Sequence, residues 1–489
     1  MSPFLAGSLV FSASAAVLVL EILAARLLAP YTGVTIETYT AVIGVCLAGI
    51  AVGSWYGGKL ADRVMPEKLL GRALTLGGGL ALLSGVLVDT IGPGVTGNGP
   101  FASVVLAAFA FFAPAAVLSS VTPTVAKLRI RDLDNTGSVV GFLSALGTAG
   151  ALVGTFVTGF ILVAALPSRV IVTSVGIALV IAGAVVWWRL DPPLKSGRVG
   201  VLVVLVLVGG TLGFAVSPCA FESPYFCGRI VSDPAREGGR TLVLDNLRHS
   251  YVDLGDPAHL EFDYAKRFAA LVASHVADGA EISVLHIGGG GFTLPRYWPA
   301  EHEVDRNVVL EVDSDLVDVA EQRLGLTPDD EITVRIGDAR RLIDDEPTDV
   351  YDVVVEDAFG ALAVPWHLTT EEMLAKVRRV LTPDGLYLVN LIDYPPLGFA
   401  RAETATLLAH FEHVAVLAEQ GTLVGDAGGN LVLAASDVPI DVPAAVAVTR
   451  ERGDASVDAL EGEDLADWIG DARVLRDDFA PVDQLLTPP

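Results

Sequence analysis

The chain has 489 residues, room for two or three domains, with 52% apolar residues, a mean hydropathy of +0.55 and a net charge of −26. A division at residue 218 reconciles these values: 12 Lys+Arg stand against 8 Asp+Glu before it, and 20 against 50 after it. The acidic half excludes nucleic acid as a partner, because phosphate would be repelled, and it would attract cations such as polyamines. It holds only two lysines, Lys266 and Lys376. Such a surface suits high salt, where repulsion between carboxylates is screened.

In chain order, seven apolar stretches come first: 4–28, 38–57, 69–91, 101–121, 139–165, 169–188 and 199–216. Most reach the roughly 20 residues that cross a ~30 Å hydrocarbon core. Residues 1–218 are therefore predicted as a transmembrane domain of about seven helices, with the lipid bilayer as partner. The first stretch is too long, and its start too free of positive charge, for a cleaved signal peptide. Lys59, Arg63, Lys68 and Arg72 lie between the second and third stretches, Lys127, Arg129 and Arg131 between the fourth and fifth, and Arg189, Lys195 and Arg198 between the sixth and seventh. The positive-inside rule puts these loops and the N-terminus in the cytoplasm. Seven crossings then place the acidic half outside a multi-pass cell-membrane protein.

Arg26, near the end of the first stretch, is expected to reach the membrane interface. Gly53-Ser54-Trp55-Tyr56-Gly57-Gly58-Lys59-Leu60-Ala61-Asp62-Arg63 resembles the loop between helices two and three of major-facilitator transporters. Cys219 and Cys227 follow the last stretch. Outside a membrane such a pair can form a disulfide; two unpaired thiols are the alternative. No second pair or His cluster accompanies them, so no metal is expected.

Residues 219–260 are read as a linker and small β region, with strands at Arg240–Asn246 and His249–Leu254. From 261 to 436, strands alternate with helices, which predicts a doubly wound parallel α/β sheet. The strands are 282–287, 307–312, 332–336, 350–355 and 386–391, and His413–Leu417 with Asn430–Ala434 can add an antiparallel pair. Residues 437–489 are read as an acidic C-terminal segment, loose or part-helical over 437–475. Ligand-site acids belong at the carboxyl ends of such strands. Four places qualify: Gly288-Gly289-Gly290-Gly291, Glu311 with Asp313, Asp338, and Asp357. Glycines permit a sharp turn and close approach to a ligand, and a carboxylate closing the next strand can accept from ribose hydroxyls. Phe292 stands where a third spaced glycine would be expected. His286, in a core strand, is read as a packing residue.

This order of motifs resembles the spermidine synthase family of aminopropyltransferases over roughly residues 225–435. Val284-Leu285-His286-Ile287-Gly288-Gly289-Gly290 resembles its glycine loop and Leu310-Glu311-Val312-Asp313 its ribose-binding segment. Gly337-Asp338-Ala339-Arg340 is similar to its adenine-side motif, and Tyr351-Asp352-Val353-Val354-Val355-Glu356-Asp357 to the strand before its catalytic loop. Leu244-Asp245-Asn246-Leu247-Arg248-His249 resembles its N-terminal hairpin, with His249 where glutamine is usual. Tyr264 matches a tyrosine of the amine pocket, although Ala265-Lys266 replaces the usual His-Glu. With its apolar half, the chain resembles the membrane-fused subgroup, whose closing segment is similar to Arg476–Asp483. The resemblance implies a Rossmann-like, methyltransferase-type domain that takes decarboxylated S-adenosylmethionine and a di- or polyamine. It places Glu311 on the ribose, Asp338 near the adenine amine and Asp357 at the reaction.

Two departures bear on activity. The family's acid after the glycine loop is here Gly291, and its acid three residues past the strand-end Asp is Gly360. An oriented general base contributes ~10²–10⁴ in rate. His367, in the loop after Pro365, is a candidate proton acceptor, and Asp477 or Asp478 can fold back to replace a lost acid. Three readings stay open: an aminopropyltransferase, a methyltransferase using S-adenosylmethionine on the same sheet, or a non-catalytic sensor or transporter-like module that binds polyamine or nucleoside. A homo-oligomer is compatible with all three.

Overall fold

The computed structural model describes residues 2–33, 36–95, 100–130, 135–190, 217–277, 279–327, 331–360 and 364–486. It divides into two compact units, Met1–Cys227 and Gly228–Pro489.

Among its described residues the first unit holds six helices long and apolar enough to cross a membrane: α1 (Pro3–Thr32), α2 (Ile36–Arg63), α3 (Pro66–Gly94), α4 (Phe101–Arg129), α5 (Thr136–Ala165) and α6 (Ser168–Leu190). The seventh predicted stretch lies outside the described residues. Glycine seams let the helices approach closely, as small residues do in membrane bundles. A Cβ at Gly53 would collide with the backbone of Ala116, so α2 lies directly on α4. Gly150 meets Phe11 of α1 in the same way, and Gly78 meets Gly176 of α6. The Gly53–Arg63 motif is thus no loop here. It is the last turns of α2, with Gly53 and Gly57 set against Ala116 and Ser120 of α4.

Arg26 is engaged by protein. It donates to Ser168 Oγ at 3.0 Å and to the carbonyls of Pro224 at 2.6 Å and Ser223 at 2.5 Å. Glu222 accepts from the Ser168 amide at 2.8 Å. The segment these residues belong to is closed by a disulfide between Cys219 and Cys227. It therefore lies where α1 ends and α6 begins. Leu190, at the other end of α6, is about 33 Å away along the helix axis at 1.5 Å per residue.

The second unit begins with antiparallel strands β1 (Cys227–Ser232), β2 (Gly239–Leu244) and β3 (Leu247–Asp253). Helix α7 (Asp263–His275) leads to the main sheet. In chain order follow β4 (Ile282–Ile287), α8 (Thr293–Glu301), β5 (Val304–Glu311), α9 (Ser314–Arg323), β6 (Thr333–Ile336), α10 (Ala339–Leu342), β7 (Tyr351–Glu356), α11 (Glu371–Val380) and β8 (Leu381–Asp393). The chain ends with α12 (Gly398–Leu408), β9 (His413–Glu419), β10 (Gly429–Ser436), α13 (Val442–Glu451), β11 (Val457–Glu461) and α14 (Gly462–Ile469). Sheet order is β11-β9-β10-β8-β7-β4-β5-β6. Strands β4 to β8 pair in parallel, and β9, β10 and β11 extend the sheet antiparallel.

Helices cover both faces, which explains the unbroken apolar strands. Phe268 and Trp298 pack with Val284 and Val353 on one face; Met373, Leu374 and Phe399 pack with Leu285 and Val354 on the other. The segment after 436, expected to be loose or part-helical, is ordered: it supplies α13, β11 and α14. Val442, Ala445, Val446, Val457 and Leu465 are buried while the acids point outward. Asp454, the exception, forms a buried ion pair with Arg267 of α7 at 2.8 Å. The abundance of acids hid that apolar spacing.

Candidate functional site

Strand order reverses between β4 and β7, so a crevice opens beyond the carboxyl ends of those strands, where open α/β sheets bind ligands. The glycine turn lies there. Gly288 has φ +92°, and a Cβ on it would stand 2.7 Å from the carbonyl oxygen of Asp357. Gly290 has φ +52°, and its Cβ would meet Ser250 Oγ at 2.8 Å. Only glycine fits both positions without strain.

Glu311 closes β5 beneath this turn. Its Oε2 accepts from the amides of Gly289 at 2.8 Å and Gly290 at 3.4 Å, and its Oε1 from that of Asp313 at 2.9 Å. Burial pushes its carboxyl up, and the three amide bonds pull it back in part. Asp313 itself caps α9 by accepting from Asp315 N at 3.1 Å. Asp338 caps α10 through Arg340 N at 2.8 Å, with the buried Ala339 as that helix's first residue. The second oxygen of Asp338 lies 3.4 Å from His367 Nε2.

Asp357 follows β7. Its Oδ1 accepts from Asn390 Nδ2 at 2.8 Å, and Tyr264 is also hydrogen-bonded to it. Asn430 Nδ2 in turn donates to Asn390 Oδ1 at 2.9 Å. Burial pushes the Asp357 carboxyl up, and these bonds oppose it. The Tyr264 phenol is pushed well above its ordinary range by burial and by Asp357.

Beside this group is a cavity of about 470 Å³. His249, Phe262, Tyr264, Phe359, Glu261 and Glu419 are among its lining residues. The His249 imidazole, edge-on to Phe359 at 5.9 Å, is pushed down to about 4 by burial and is therefore neutral at pH 7.

The fold thus brings Gly288, Gly289, Gly290, Glu311, Asp313, Asp338 and Ala339 to the ends of adjacent strands. Tyr264, Asp357 and His249 meet at or beside the cavity. His367 is elsewhere: it faces Asp338 and does not line that cavity. Asp477 is elsewhere too, paired with Arg340 at 2.5 Å. Gly291 is more than a lost acid. Ser250 Oγ of β3 accepts from the Gly291 amide at 2.9 Å, and a Cβ at 291 would stand 2.8 Å from Ser250 Cβ. The space of the usual carboxylate is filled by the hairpin. Asn390, Asn430 and Glu419 escaped sequence reading. The signal for Asn390 was a lone amide in the apolar run Leu386–Leu391. Among the described residues no group of three or more His, Cys, Asp or Glu could hold a metal ion.

A glycine cradle with a buried carboxylate beneath it, and capping acids on the next strands, marks an α/β domain of the methyltransferase type with a candidate ligand cradle at its strand ends. The left-handed glycines, which admit no side chain, fit an S-adenosyl group lying against the backbone. Known proteins carry this further. No family model matches the chain. It is 25% identical over 217 residues to the polyamine aminopropyltransferase of Vibrio vulnificus (strain CMCP6), covering 41% of this chain and 69% of that protein. It is 28% identical over 121 residues to the eEF1A lysine and N-terminal methyltransferase of Bos taurus, covering 23% of this chain and only 17% of that one. A solved structure described as a probable spermidine synthase from Corynebacterium glutamicum ATCC 13032 is 26% identical, with a TM-score of 0.48, covering 54% of this chain and 97% of that one. The sequence relatives point to the spermidine synthase fold for the C-terminal part of the chain, which follows a half with six apolar helices.

Proposed function

We propose that the C-terminal unit transfers an aminopropyl group from decarboxylated S-adenosylmethionine to a di- or polyamine, and that the apolar helices hold it in a membrane. The observation that carries this reading is Asp357, half-buried, bonded to Asn390 and to the cavity-lining Tyr264, with its backbone against Gly288 of the glycine cradle. The nitrogen lone pair of a neutral amine attacks the carbon beside the sulfonium. The carbon–sulfur bond breaks with its electrons going to sulfur, and Asp357 accepts the proton the new ammonium loses. Glu261 and Glu419 are the carboxylates available for a second ammonium of the amine.

Full-length protein in detergent, given putrescine with decarboxylated S-adenosylmethionine, should yield spermidine and the nucleoside thioether. Ser250 in the place of an amine-gripping acid favours the second reading, a methyltransferase. If ordinary S-adenosylmethionine is consumed and the decarboxylated form is not, that reading replaces the first. Binding of either without product would leave only a sensor or transporter-like role.

Orientation is part of the proposal. The disulfide-closed segment is fastened by Arg26 at the end of α1, on the face of the bundle away from the N-terminus. With the N-terminus in the cytoplasm by its loop charges, that face is the exterior, where disulfides persist.

A further inference from the structure

The end of the chain returns to the nucleoside side of the site. The Leu475 carbonyl accepts from Glu371 N at 2.9 Å, Arg476 Nε lies 3.2 Å from Glu371 Oε1, and Asp477 N donates to Glu372 Oε2 at 3.0 Å. Three consecutive residues are thus fastened to the first turn of α11. From there Asp477 reaches Arg340, 137 residues earlier: Oδ2 is 2.5 Å from Arg340 Nη2, and Oδ1 accepts from Thr370 Oγ1 at 2.8 Å. Arg340 Nη1 donates to the same Thr370 oxygen at 2.8 Å and to the carbonyl of His367. The backbone of Arg340 is also fixed, its amide on Asp338 and its carbonyl on Lys376 Nζ at 2.9 Å.

We propose that Asp477 is a positioning residue for the nucleoside end of the site, acting through Arg340 on Asp338 and His367. The inference rests on the reading of Asp338 as the residue that meets the adenine. Arg340 has one guanidinium and three acceptor groups to satisfy: the His367 carbonyl, Thr370 and Asp477. Without Asp477 it keeps no charged partner among the described residues, and the arginine is free to leave the His367 carbonyl. His367 then loses the backbone anchor that keeps its imidazole 3.4 Å from Asp338 Oδ2. The pair is partly exposed, with side-chain accessibilities of 16% and 42%. Pairs of that kind contribute little to global stability, so its loss should loosen the site and leave the fold intact.

The test uses full-length protein in detergent with Asp477→Ala, Asp477→Glu, Arg340→Ala and the double variant. The probe is 5′-methylthioadenosine. Asp477→Ala should weaken its binding about tenfold or more, as expected for misplaced contacts, with the KM for putrescine unchanged. Asp477→Glu should recover part of the loss, and Asp477→Ala should add nothing in the Arg340→Ala background. Amide hydrogen exchange over 338–341 and 366–370 should rise in Asp477→Ala with or without the probe. Wild-type exchange rates in that variant would overturn the clasp. Faster exchange with probe affinity unchanged would overturn its bearing on the nucleoside. Should wild-type protein bind no probe at all, the adenine role of Asp338 falls, and exchange alone still decides the clasp.

Discussion

Glu311 Oε2 accepts the Gly289 amide at 2.8 Å, so a carboxylate on β5 holds the turn that leaves β4. The same side chain accepts from Gly290 and Asp313. One buried acid therefore organises two of the four strand-end positions before any ligand arrives. Leaving a buried amide unsatisfied costs about 1–3 kcal/mol.

Glu311→Ala strands these amides and removes the proposed ribose acceptor. The expected result is loss of nucleoside binding by more than about tenfold, with a fall in thermal stability, since an unmade buried bond costs more than a formed one contributes. Calorimetric titration with 5′-methylthioadenosine reads the first and thermal unfolding the second. Wild-type affinity in the variant would remove Glu311 from the site.

Asp357→Asn keeps the shape of the side chain and removes the base. The rate of amine alkylation should fall by ~10²–10⁴, with nucleoside affinity within a factor of about three, because Asp357 lies on the amine side. A turnover number close to wild type would show that the proton leaves by another route.

Behind the site, Glu356 is fully buried, accepts from the Tyr387 phenol, and shares its surroundings with the buried Glu403. Burial pushes the Glu356 carboxyl up to about 7, with Tyr387 opposing. The folded state therefore keeps a proton that the unfolded chain releases above its ordinary carboxylate range. Stability from this group is present at low pH and is lost as pH rises toward and through 7. Glu356→Gln should flatten that decline and raise the melting temperature at pH 8 relative to wild type, by roughly 2–4 °C for each kcal/mol recovered. Parallel wild-type and variant curves from pH 5 to 8 would contradict the assignment.

Sidedness is read from the two bonded cysteines. In intact cells an impermeant thiol reagent should label Cys219 and Cys227 only after an impermeant reductant has been added. Cys46 is buried in α2 and should stay unlabelled throughout. Labelling that requires lysis would put the segment, and the unit after it, in the cytoplasm.

Much of the frame of the candidate site was legible along the chain because its signals are local. Gly288–Gly290 must turn sharply after an apolar strand, and Glu311, Asp338 and Asp357 close strands that read as apolar runs. The helices long and apolar enough to cross a membrane announce themselves by length and hydropathy alone. Asn390 and Asn430 were not legible as site residues, since each is one amide in a strand and gains meaning only when β8 and β10 align beside β7. Residues 437–475 misled for a related reason: many acids obscured five apolar positions that only a neighbouring sheet face reveals.

The sequence by itself determined an apolar helical half, an acidic α/β half and a candidate site at the strand ends, because hydropathy, periodicity and turn chemistry act over a few residues. The tertiary structure decided what lies beyond that range. It set Ser250 in the space at Gly291, drew Asp477 to Arg340 instead of the amine cavity, and turned His367 toward Asp338. These contacts join residues 29 to 137 positions apart, and packing of distant elements, which no local pattern encodes, settles where such side chains point.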